Sequence, residues 1–418
     1  MSTSLEQGVG RLVSAIDAPI ASFFNSCVHC GLCAEACLFY TETGDPKYTP
    51  IHKLEPLRRV WKTEFTLLGK LLATLGLVKR VTLDELKEWE TLVYDSCTLC
   101  GRCSLVCPVG NDLAYMVRKL REGMVAAGVA PAGLKEATVR TVELGSPMGI
   151  TLVTLKAQIR NAEKDTGLQI PLDAVGADYL LLMSASEIMQ YPEFLAACAR
   201  IFAKAGVTWT LCSTAYEATN SGIQIGSSDL AGTLVQRIVD GAERLKVKTV
   251  ISPECGHAYM ALRWEGPNLI GRAYPFEVRH ILEVLDELRA QGKLKTKGME
   301  NERMTFHDPC QLVRRGGVVE PPRNLMKMVV ADFVEMHDAG TLNWCCGGGG
   351  GVSANDRAEP LRKQVFSKKK KQVDELKVAA MVTACSNCRT MLEEGVEDNH
   401  MDVKIVSLTE LLAEHLAD

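Results

Sequence analysis

The stretches SCVHCGLCAEAC at residues 26–37 and SCTLCGRCSLVCP at residues 96–108 are the parts of this sequence that decide its fold. Each holds four cysteines in the spacing C-x2-C-x2-C-x3-C. In chain order the eight cysteines are Cys27, Cys30, Cys33, Cys37, Cys97, Cys100, Cys103 and Cys107. Because the second run repeats the spacing of the first, the sequence predicts two sites of the same kind.

This spacing is typical of cysteines that hold 4Fe-4S clusters. In two-cluster ferredoxins the first three cysteines of a run bind one cluster and the fourth binds the other. We therefore predict two cubane 4Fe-4S clusters with crossed ligands. The first is expected to take Cys27, Cys30, Cys33 and Cys107, and the second Cys97, Cys100, Cys103 and Cys37. Structural zinc is the alternative, but zinc sites typically separate two C-x2-C pairs.

Three other residues inside these runs bear on the clusters. Gly31 and Gly101 lack a Cβ, so we expect them to let backbone N–H groups approach cluster sulfur. His29 is expected at the surface, and an influence on the potential of the first cluster is the alternative.

The composition limits the class of protein. The chain has 418 residues, enough for two or three domains. Its 47 basic and 51 acidic residues give a net charge of −4, which removes the electrostatic case for nucleic acid. We identify no secretory signal, so the 16 cysteines are expected to stay reduced in the cytoplasm.

No window of the sequence reaches about 18 consecutive apolar residues, so we expect no membrane span. The closest approach lies between Phe65 and Lys79, where leucines recur at helical spacing around Lys70. We predict an amphipathic helix that faces the core. A docking face for a membrane-embedded partner is the alternative.

The cysteines fall into two blocks that mark the domains. Residues 1–150 carry the two ferredoxin-like runs, and helical spacing there predicts a helix with one face formed by Leu113, Met116, Val117, Leu120 and Met124. From about residue 175 short β-rich runs alternate with helical patterns, which predicts α/β layers on a parallel sheet. One such helical pattern consists of Val278, Ile281, Leu282, Leu285 and Leu288. The strand candidates are 180–183, 207–211, 247–251, 303–306 and 379–383. The predicted fold class is α+β overall, with a helical ferredoxin-like domain followed by an α/β domain of two tandem half-domains, 175–295 and 296–418.

The second half-domain gathers five cysteines from three predicted strand ends. They are Cys310, Cys345, Cys346, Cys385 and Cys388. Five ligands exceed the four of a cubane, which indicates a larger cluster assembly. The glycine run 347–351 is expected to fold tightly over that cluster. His307 and Asp308 stand at a strand end beside Cys310. His307 is a candidate proton donor to a leaving thiolate, although such a pair more often caps or orients a turn.

The first half-domain repeats this pattern incompletely. Ser184 stands where the leading cysteine belongs, and Cys212 lacks a cysteine neighbour. Ser252 and Cys255 align with Cys385 and Cys388, so Ser252 replaces one member of the final pair. Two ligands of five cannot hold the same cluster. We expect the thiols of Cys212, Cys255 and Cys198 to be buried and inert. Assistance of substrate exchange by Cys212 or Cys255 is the alternative.

One dense basic run, Lys368–Lys371, lies in a helical stretch near Asp374 and Glu375. We predict a solvated helix face there. Docking of an acidic protein partner is the alternative.

The segments HDPCQLVRRGG, NWCCGGGGG and ACSNCRT resemble those of iron-sulfur proteins with CCG domains. This family includes the HdrB and HdrD components of heterodisulfide reductases and the iron-sulfur components of glycolate and glycerol-3-phosphate dehydrogenases. The resemblance covers nearly the whole chain, because two ferredoxin motifs followed by two CCG half-domains is the HdrD layout. One intact C-terminal pentad is most similar to DsrK, a component of the DsrMKJOP complex of sulfur metabolism, and next to TmcB, a component of the Tmc complex.

The resemblance implies a non-cubane 4Fe-4S cluster at the five CCG cysteines and a heterodisulfide reductase-like, menaquinol-linked oxidoreductase. It implies a place on the cytoplasmic face of the inner membrane, beside a DsrM-like haem b membrane subunit. The implied substrate is a disulfide or trisulfide on a DsrC-like sulfur-carrier protein. The alternative is a pure electron relay of the glycolate or glycerol-3-phosphate dehydrogenase type, in which a flavoprotein performs the chemistry and electrons pass to quinone.

Overall fold

The structure is a computed structural model that describes residues 3–417. The chain forms two compact units. The first comprises the chain up to Glu136 and two later segments, Gly222–Ser228 and Gly347–Lys368. The second comprises Ala137–Ser221, Asp229–Cys346 and the chain from Lys369 onward. The C-terminal half of the chain thus contributes two short segments to the N-terminal unit.

Twenty-four α-helices lie within residues 3–417. Up to residue 166 they are α1 Ser4–Ala15, α2 Ala18–Ser26, α3 Leu32–Glu35, α4 Leu38–Thr43, α5 Pro50–Lys53, α6 Glu55–Phe65, α7 Leu67–Thr74, α8 Leu83–Glu90, α9 Arg102–Leu105, α10 Leu113–Ala126, α11 Ala132–Leu144 and α12 Leu152–Thr166. The others are α13 Ala185–Met189, α14 Glu193–Ala205, α15 Ser221–Ile225, α16 Ser228–Leu245, α17 Gly256–Tyr259, α18 Gly266–Ile270, α19 Ile281–Ala290, α20 Glu320–Val329, α21 Glu359–Val365, α22 Ser367–Leu376, α23 Ser386–Asp398 and α24 Leu408–Glu414. No helix among the described residues is long and apolar enough to cross a membrane.

The second unit contains two four-stranded parallel sheets. Their strands are β1 Tyr179–Leu181, β2 Trp209–Thr210, β3 Thr249–Ser252, β4 Glu277–His280, β5 Met304–His307, β6 Phe333–Val334, β7 Ala380–Thr383 and β8 Lys404–Ser407. The strand order is β2-β1-β3-β4 in one sheet and β6-β5-β7-β8 in the other. Because both sheets have the same order, the structure contains two half-domains of one topology, and the α+β fold class is confirmed.

All five predicted strands are present, and three further strands were not predicted. The pattern that includes Val278 predicted a helix, but Val278 lies in β4 and the helix begins only at Ile281. The chain passes from strand to helix at His280. The side chain of His280 caps α19 by accepting a hydrogen bond from Leu282 N. A strand of four residues is too short to show a period of its own beside a ten-residue helix.

The core of the first unit is built around α10. The five residues predicted for one face of this helix are each at most 2% exposed, namely Leu113, Met116, Val117, Leu120 and Met124. Helix α1 packs closely on α10 because both carry a glycine at the contact: a Cβ on Gly8 would lie 2.6 Å from Ala127 Cβ. The leucines and valines of the other helices pack around this pair.

The prediction of a core-facing helix from Phe65 to Lys79 is wrong. Helix α6 ends at Phe65, and α7 spans only Leu67–Thr74. Its leucines face solvent, with Leu67 88% exposed and Leu71 57% exposed. Helical spacing identifies an apolar face, but it does not tell whether another part of the chain covers that face.

A buried polar network joins the two half-domains. Glu254 Oε1 accepts hydrogen bonds from Thr409 N at 3.0 Å and Thr409 Oγ1 at 2.6 Å. Glu187, also buried, accepts from Glu254 N at 2.9 Å and from Ser184 N at 2.6 Å. The hydroxyl oxygens of Ser184 and Ser386 lie 2.8 Å apart. The place of the missing cysteine is therefore occupied by a serine that belongs to this network.

Glu254 gives a prediction about stability. Replacing Glu254→Ala removes the acceptor of two buried donors and should lower the free energy of unfolding by about 2 kcal/mol. Urea denaturation of the full chain measures this change. The exposed Glu302→Ala is the control and should change the free energy by less than about 0.5 kcal/mol.

The same residue predicts a pH dependence. Burial raises the pKa of Glu254 to about 7, whereas an unfolded chain releases this proton at about pH 4.3. The stabilisation contributed by protonated Glu254 is fully present below the unfolded pKa of about 4.3. It is lost as the pH rises through about 7. Glu254→Gln should remove the part of the fall in unfolding free energy between about pH 4.3 and about pH 7 that comes from this group. An unchanged pH dependence would contradict the role assigned to Glu254.

Candidate metal centres

The two ferredoxin-like loops have the same backbone conformation. His29 and Leu99 both have positive φ, 54° and 57°, and two residues later Gly31 and Gly101 have φ of 84° and 75°. A Cβ on Gly31 would meet no atom within 4 Å. At Gly31, glycine is therefore favoured by the left-handed backbone, and the approach of N–H groups to cluster sulfur stays a prediction. His29 is exposed, as expected.

Each loop lines a cavity together with one cysteine of the other loop. One cavity has Cys27, Cys30, Cys33 and Cys107 in its wall. A second cavity has Cys97, Cys100, Cys103 and Cys37 in its wall. The structure thus brings the eight cysteines together in the two crossed sets that the spacing predicted.

The thiols of each set repel one another once they are ionised. Burial, and then the charges of Cys27, Cys30 and Cys107, raise the pKa of Cys33 to about 11. Burial, and then charges that include Cys100, Cys37 and Cys97, raise the pKa of Cys103 well above its usual value. Four sulfurs around one cavity are therefore stable as thiolates only with positive charge between them, which fits an iron-sulfur cluster.

Two buried cations lie beside the second cavity. Lys53, 1% exposed, donates to Ser96 O at 2.5 Å, and its Nζ is 3.9 Å from Cys37 Sγ. Arg121 is fully buried and donates to the carbonyl oxygens of four residues, all at 2.6 to 2.8 Å, namely Gln224, Gly350, Val93 and Cys97. No carboxylate among the described residues forms an ion pair with either side chain. These positive charges favour an anionic group in the cavity.

Two glycines after the CC pair are closely packed within the first unit. A Cβ on Gly350 would lie 2.8 Å from Thr98 C. A Cβ on Gly351 would lie 2.8 Å from Leu134 Cδ2, and the φ of Gly351 is 87°. Gly350 and Gly351 are therefore needed for close packing on Thr98 and Leu134. The folding of the glycine run over a cluster stays a prediction.

The pentad cysteines lie at the carboxyl ends of three adjacent strands. Cys310 follows β5, Cys345 and Cys346 follow β6, and Cys385 and Cys388 follow β7. The chain moves from β5 to β6 on one side and then to β7 on the other, so a crevice opens at the carboxyl ends of β5 and β7. Open parallel sheets bind ligands at such switch points. The topology therefore explains why cysteines far apart in sequence meet there.

All five pentad thiols are buried, with exposures of 4 to 7%. Cys310 Sγ lies 3.9 Å from Cys345 Sγ. The Sγ atoms of Cys346 and Cys388 and a ring nitrogen of His307 lie within 4.8 Å of one another. Contact with the Cys346 thiol, then with Cys385, and burial raise the pKa of Cys388 well above its usual value. The site is thus a compact group of soft ligands that suits iron-sulfur chemistry.

His307 is 1% exposed, and neither ring nitrogen has a hydrogen-bond partner among the described residues. Buried polar atoms are nearly always paired, so two ring nitrogens without a protein partner fit a site that binds a further group. Burial, and then the charge of Lys369, lower the pKa of His307 well below its usual value. The imidazole is therefore neutral at pH 7 and can offer one N–H or one lone pair to a bound group.

Asp308 orients the loop before the CC pair. Its two carboxylate oxygens accept hydrogen bonds from Arg323 at 2.8 and 2.9 Å, and Oδ2 also accepts from Gly340 N at 2.6 Å. The buried ion pair fixes the chain between β6 and Cys345. This is the turn-orienting role that the sequence suggested for the pair His307 and Asp308.

Lys369 is a site residue that sequence reasoning missed. The prediction of a solvated face fails for this residue, which is 2% exposed, while Lys370 pairs with Asp374 at 2.6 Å. Lys369 Nζ lies 2.8 Å from Gln372 Oε1 and 3.3 Å from Met336 Sδ. Burial lowers its pKa to about 8, while the charges of Asp308 and of the pentad thiols oppose that shift. A run of four lysines gave no signal that one of them points inward.

The first half-domain has no comparable group of thiols among its described residues. Cys212 is fully buried beside Arg244, whose NH2 lies 3.3 Å from the sulfur, and Cys198 is fully buried in α14. Cys255 caps α17 as Cys385 caps α23. The sequence comparison had aligned Cys255 with Cys388 instead. In the structure Cys255 corresponds to Cys385, the other member of that pair. All three thiols are buried, as predicted.

Comparison with known families distinguishes the same two cysteine-rich regions, the ferredoxin-like runs and the pentad. The 4Fe-4S dicluster domain matches residues 24–111, and the cysteine-rich CCG domain matches residues 304–393. The first range contains both ferredoxin-like runs, and the second contains the whole pentad. Glutamate racemase RacE1 from Bacillus anthracis is a similar solved structure, but its TM-score of 0.29 at 13% identity is too low to indicate fold or function.

Three curated relatives extend over most of the chain. The Hdr-like menaquinol oxidoreductase iron-sulfur subunit 2 of Archaeoglobus fulgidus is 29% identical, covering 80% of this chain and 68% of its own length. The HdrD component of the dihydromethanophenazine:CoB–CoM heterodisulfide reductase of Methanosarcina acetivorans is 27% identical and covers 94% of each chain. The EtfAB:quinone oxidoreductase of Syntrophomonas wolfei is 28% identical over 93% of this chain and 57% of its own length. The chain therefore joins a 4Fe-4S dicluster domain to a cysteine-rich CCG domain and is similar, over most of its length, to heterodisulfide reductase-type iron-sulfur subunits.

Proposed function

We propose that this chain is the iron-sulfur catalytic subunit of a membrane-associated complex that interconverts a disulfide and two thiols. The observation that carries the proposal is the complete pentad, five buried thiols beside the unpaired ring of His307. Two cubane clusters would be held by the two crossed cysteine sets and a non-cubane 4Fe-4S cluster by the pentad. The names of the relatives, a menaquinol oxidoreductase subunit and a heterodisulfide reductase subunit, support the reaction class.

The reaction is R–S–S–R′ + 2 e⁻ + 2 H⁺ → R–SH + R′–SH. Bound clusters supply one-electron transfer, so that the two electrons arrive singly. The chain itself must bind the disulfide, exclude water and deliver two protons. The two sulfurs that leave are anions until they are protonated, so a nearby positive charge lowers the cost of breaking the bond.

Lys369 and His307 lie at the pentad, where they can act on the leaving sulfurs. Lys369 brings a buried positive charge to the pentad, and no carboxylate among the described residues forms an ion pair with it. His307 has a ring nitrogen within 4.8 Å of the Cys346 and Cys388 sulfurs. We assign to Lys369 the stabilisation of the leaving thiolate and to His307 an N–H that orients sulfur at the pentad. The role of His307 as a proton donor remains a prediction from the sequence.

The proposal includes partners and a location. Electrons are exchanged with a DsrM-like haem b membrane subunit linked to menaquinone, on the cytoplasmic face of the inner membrane. The substrate is a disulfide or trisulfide on a DsrC-like sulfur-carrier protein, as in the DsrK or TmcB proteins that the pentad resembles. These details rest on that resemblance, and the fold alone does not specify them.

A relay between a flavoprotein and quinone is the second candidate. The similarity to a protein named EtfAB:quinone oxidoreductase over 93% of this chain favours it. In that case the pentad passes electrons and binds no sulfur substrate. A thiol or disulfide that changes the properties of the pentad site therefore separates the two functions.

The first experiment on this question is anaerobic purification with iron analysis and EPR. We expect about twelve irons per chain, from three four-iron clusters, and a signal of the oxidised protein that changes when a thiol is added. About eight irons with no thiol-sensitive signal would favour the relay.

Replacing Cys346→Ser tests the catalytic site directly. Disulfide turnover should be lost while both ferredoxin-like clusters remain reducible, because only the pentad loses a ligand. Cys212→Ser is the matched control, since Cys212 follows β2 as Cys346 follows β6. Full turnover in Cys346→Ser would contradict the catalytic role of the pentad.

Lys369→Met removes the buried charge without much change in volume. Disulfide turnover should fall by about a hundredfold, with iron content unchanged, whereas Lys369→Arg should keep a larger part of the activity. The exposed Lys371→Met is the control on the same helix. Equal turnover in the Lys369→Met variant and the wild type would show that this charge has no part in the reaction.

Lys53→Met tests the charge beside the second cavity. A nearby cation stabilises the reduced, more negative state of a cluster, so the variant should lower the reduction potential of the cluster beside Cys37 and leave the other one unchanged. Redox titration followed by EPR measures both potentials. Lys47→Met, in which the lost cation is solvent-exposed, is the control. Two unshifted potentials in Lys53→Met would contradict the electrostatic argument.

A further inference from the structure

A group of exposed leucines lies on α7 and the turn after it. We call it the leucine patch, and it consists of Phe65, Leu67, Leu68, Leu71, Leu75 and Leu77. Their exposures are 41, 88, 67, 57, 62 and 71%, in that order. Single exposed leucines are ordinary on a protein surface, but a contiguous group of this size marks an interaction site.

The patch is held on a fixed support. Helix α7 packs against the last turn of α6 at Gly69, where a Cβ would lie 2.0 Å from Lys62 O. Thr66 caps α7 by accepting a hydrogen bond from Gly69 N at 3.1 Å, and its own hydroxyl donates to Lys62 O at 2.8 Å. Only glycine allows the two helices to come so close. The leucines are therefore presented by a helix whose first turn is fixed against the end of α6.

The patch segment itself carries only basic charge, and Glu64, which precedes Phe65, pairs with Arg80. No acidic residue occurs from Phe65 to Leu83. Lys62, Lys70 and Lys79 are exposed at the edges of the patch and form no ion pair among the described residues. Exposed leucines bordered by unpaired lysines match a lipid surface, whose acyl chains are apolar and whose phosphate headgroups are anionic.

We propose that the leucine patch inserts into the interfacial region of an anionic lipid bilayer and anchors the chain to the membrane directly. The leucines enter the boundary between headgroups and acyl chains, and the three lysines bind lipid phosphates. The patch is too short to span the bilayer, so the attachment is that of a protein lying on the membrane surface. This anchor does not depend on the disulfide chemistry proposed above.

A row of aromatic rings connects the patch with the first cluster cavity. Phe65 stacks on Trp61 with ring centroids 5.1 Å apart, and Trp61 stacks on Phe24 at 5.8 Å. Phe24 contacts Phe23 at 5.2 Å, and Phe23 lines the cavity of Cys27 and Cys30. The anchor is thus packed against the wall of the cavity through three ring contacts. Membrane binding would hold the site of Cys27 near carriers dissolved in the bilayer.

Vesicle sedimentation tests the proposal with the purified holoprotein. The probes are vesicles of phosphatidylcholine alone and vesicles that also contain phosphatidylglycerol. We expect binding to the anionic vesicles, weakened about tenfold by Leu71→Gln, because one buried leucine side chain is lost from the interface. The triple variant Leu67→Gln, Leu71→Gln, Leu75→Gln should no longer sediment, and Lys70→Glu should bind the anionic vesicles more weakly than the wild type.

Val153→Gln is the matched control, since Val153 is a 75% exposed apolar residue on α12 outside the patch. Its vesicle binding should equal that of the wild type. Iron content and visible absorbance of every variant should be unchanged, which separates loss of the anchor from loss of the fold or of the clusters. Turnover of a soluble disulfide should also be unchanged, so failure of the anchor and failure of the proposed reaction are distinguishable.

Two results would overturn the proposal. If the wild type binds no anionic vesicle, the patch is a docking face for a protein partner and not for lipid. If the triple variant binds as the wild type does, the leucines are not the anchor. Equal binding to vesicles with and without phosphatidylglycerol would overturn the role assigned to the lysines.

Discussion

The buried guanidinium of Arg121 is the contact on which the first unit depends. It donates hydrogen bonds to carbonyl oxygens in three separate stretches of chain, the loop of Val93 and Cys97, the segment of Gln224 and the glycine run at Gly350. Its plane also lies 4.5 Å from the centre of the Tyr94 ring. A group with five donors in a fixed plane can hold several main-chain segments at once, which a lysine cannot do. The two segments contributed by the C-terminal half are thus fixed beside the second cluster cavity.

Positive charge buried without a carboxylate partner is common to the two kinds of centre. Lys53 and Arg121 lie beside the second cavity, and Lys369 lies beside the pentad. Burying an unpaired cation costs several kcal/mol, so such residues persist where an anionic group offsets the cost. Iron-sulfur clusters with thiolate ligands carry negative charge, and the buried cations are placed where that charge would be. The buried positive charges of the protein therefore complement the negative charge of the proposed clusters.

The two half-domains have the same topology, but only the second carries the five pentad cysteines. Both sheets have the same strand order and the same switch point. In the second half-domain the strand ends carry five cysteines, whereas in the first they carry Ser184 and the buried acids Glu187 and Glu254. These groups satisfy one another and Thr409 by hydrogen bonds. The degenerate half is therefore joined to the pentad half by this buried network.

The sequence by itself determined the cysteine sets, the parallel α/β class and five of the eight strands. Ligand spacing is set by cluster geometry over a few residues, and buried strands show as apolar runs, so both are visible locally. Tertiary structure decided what depends on a distant partner. The leucines of α7 are exposed because no other segment within residues 3–417 covers them, Lys369 points inward although its neighbours do not, and Gly350 packs against Thr98. Periodicity and composition describe one face of a segment, but the identity of what lies against that face depends on the whole folded chain.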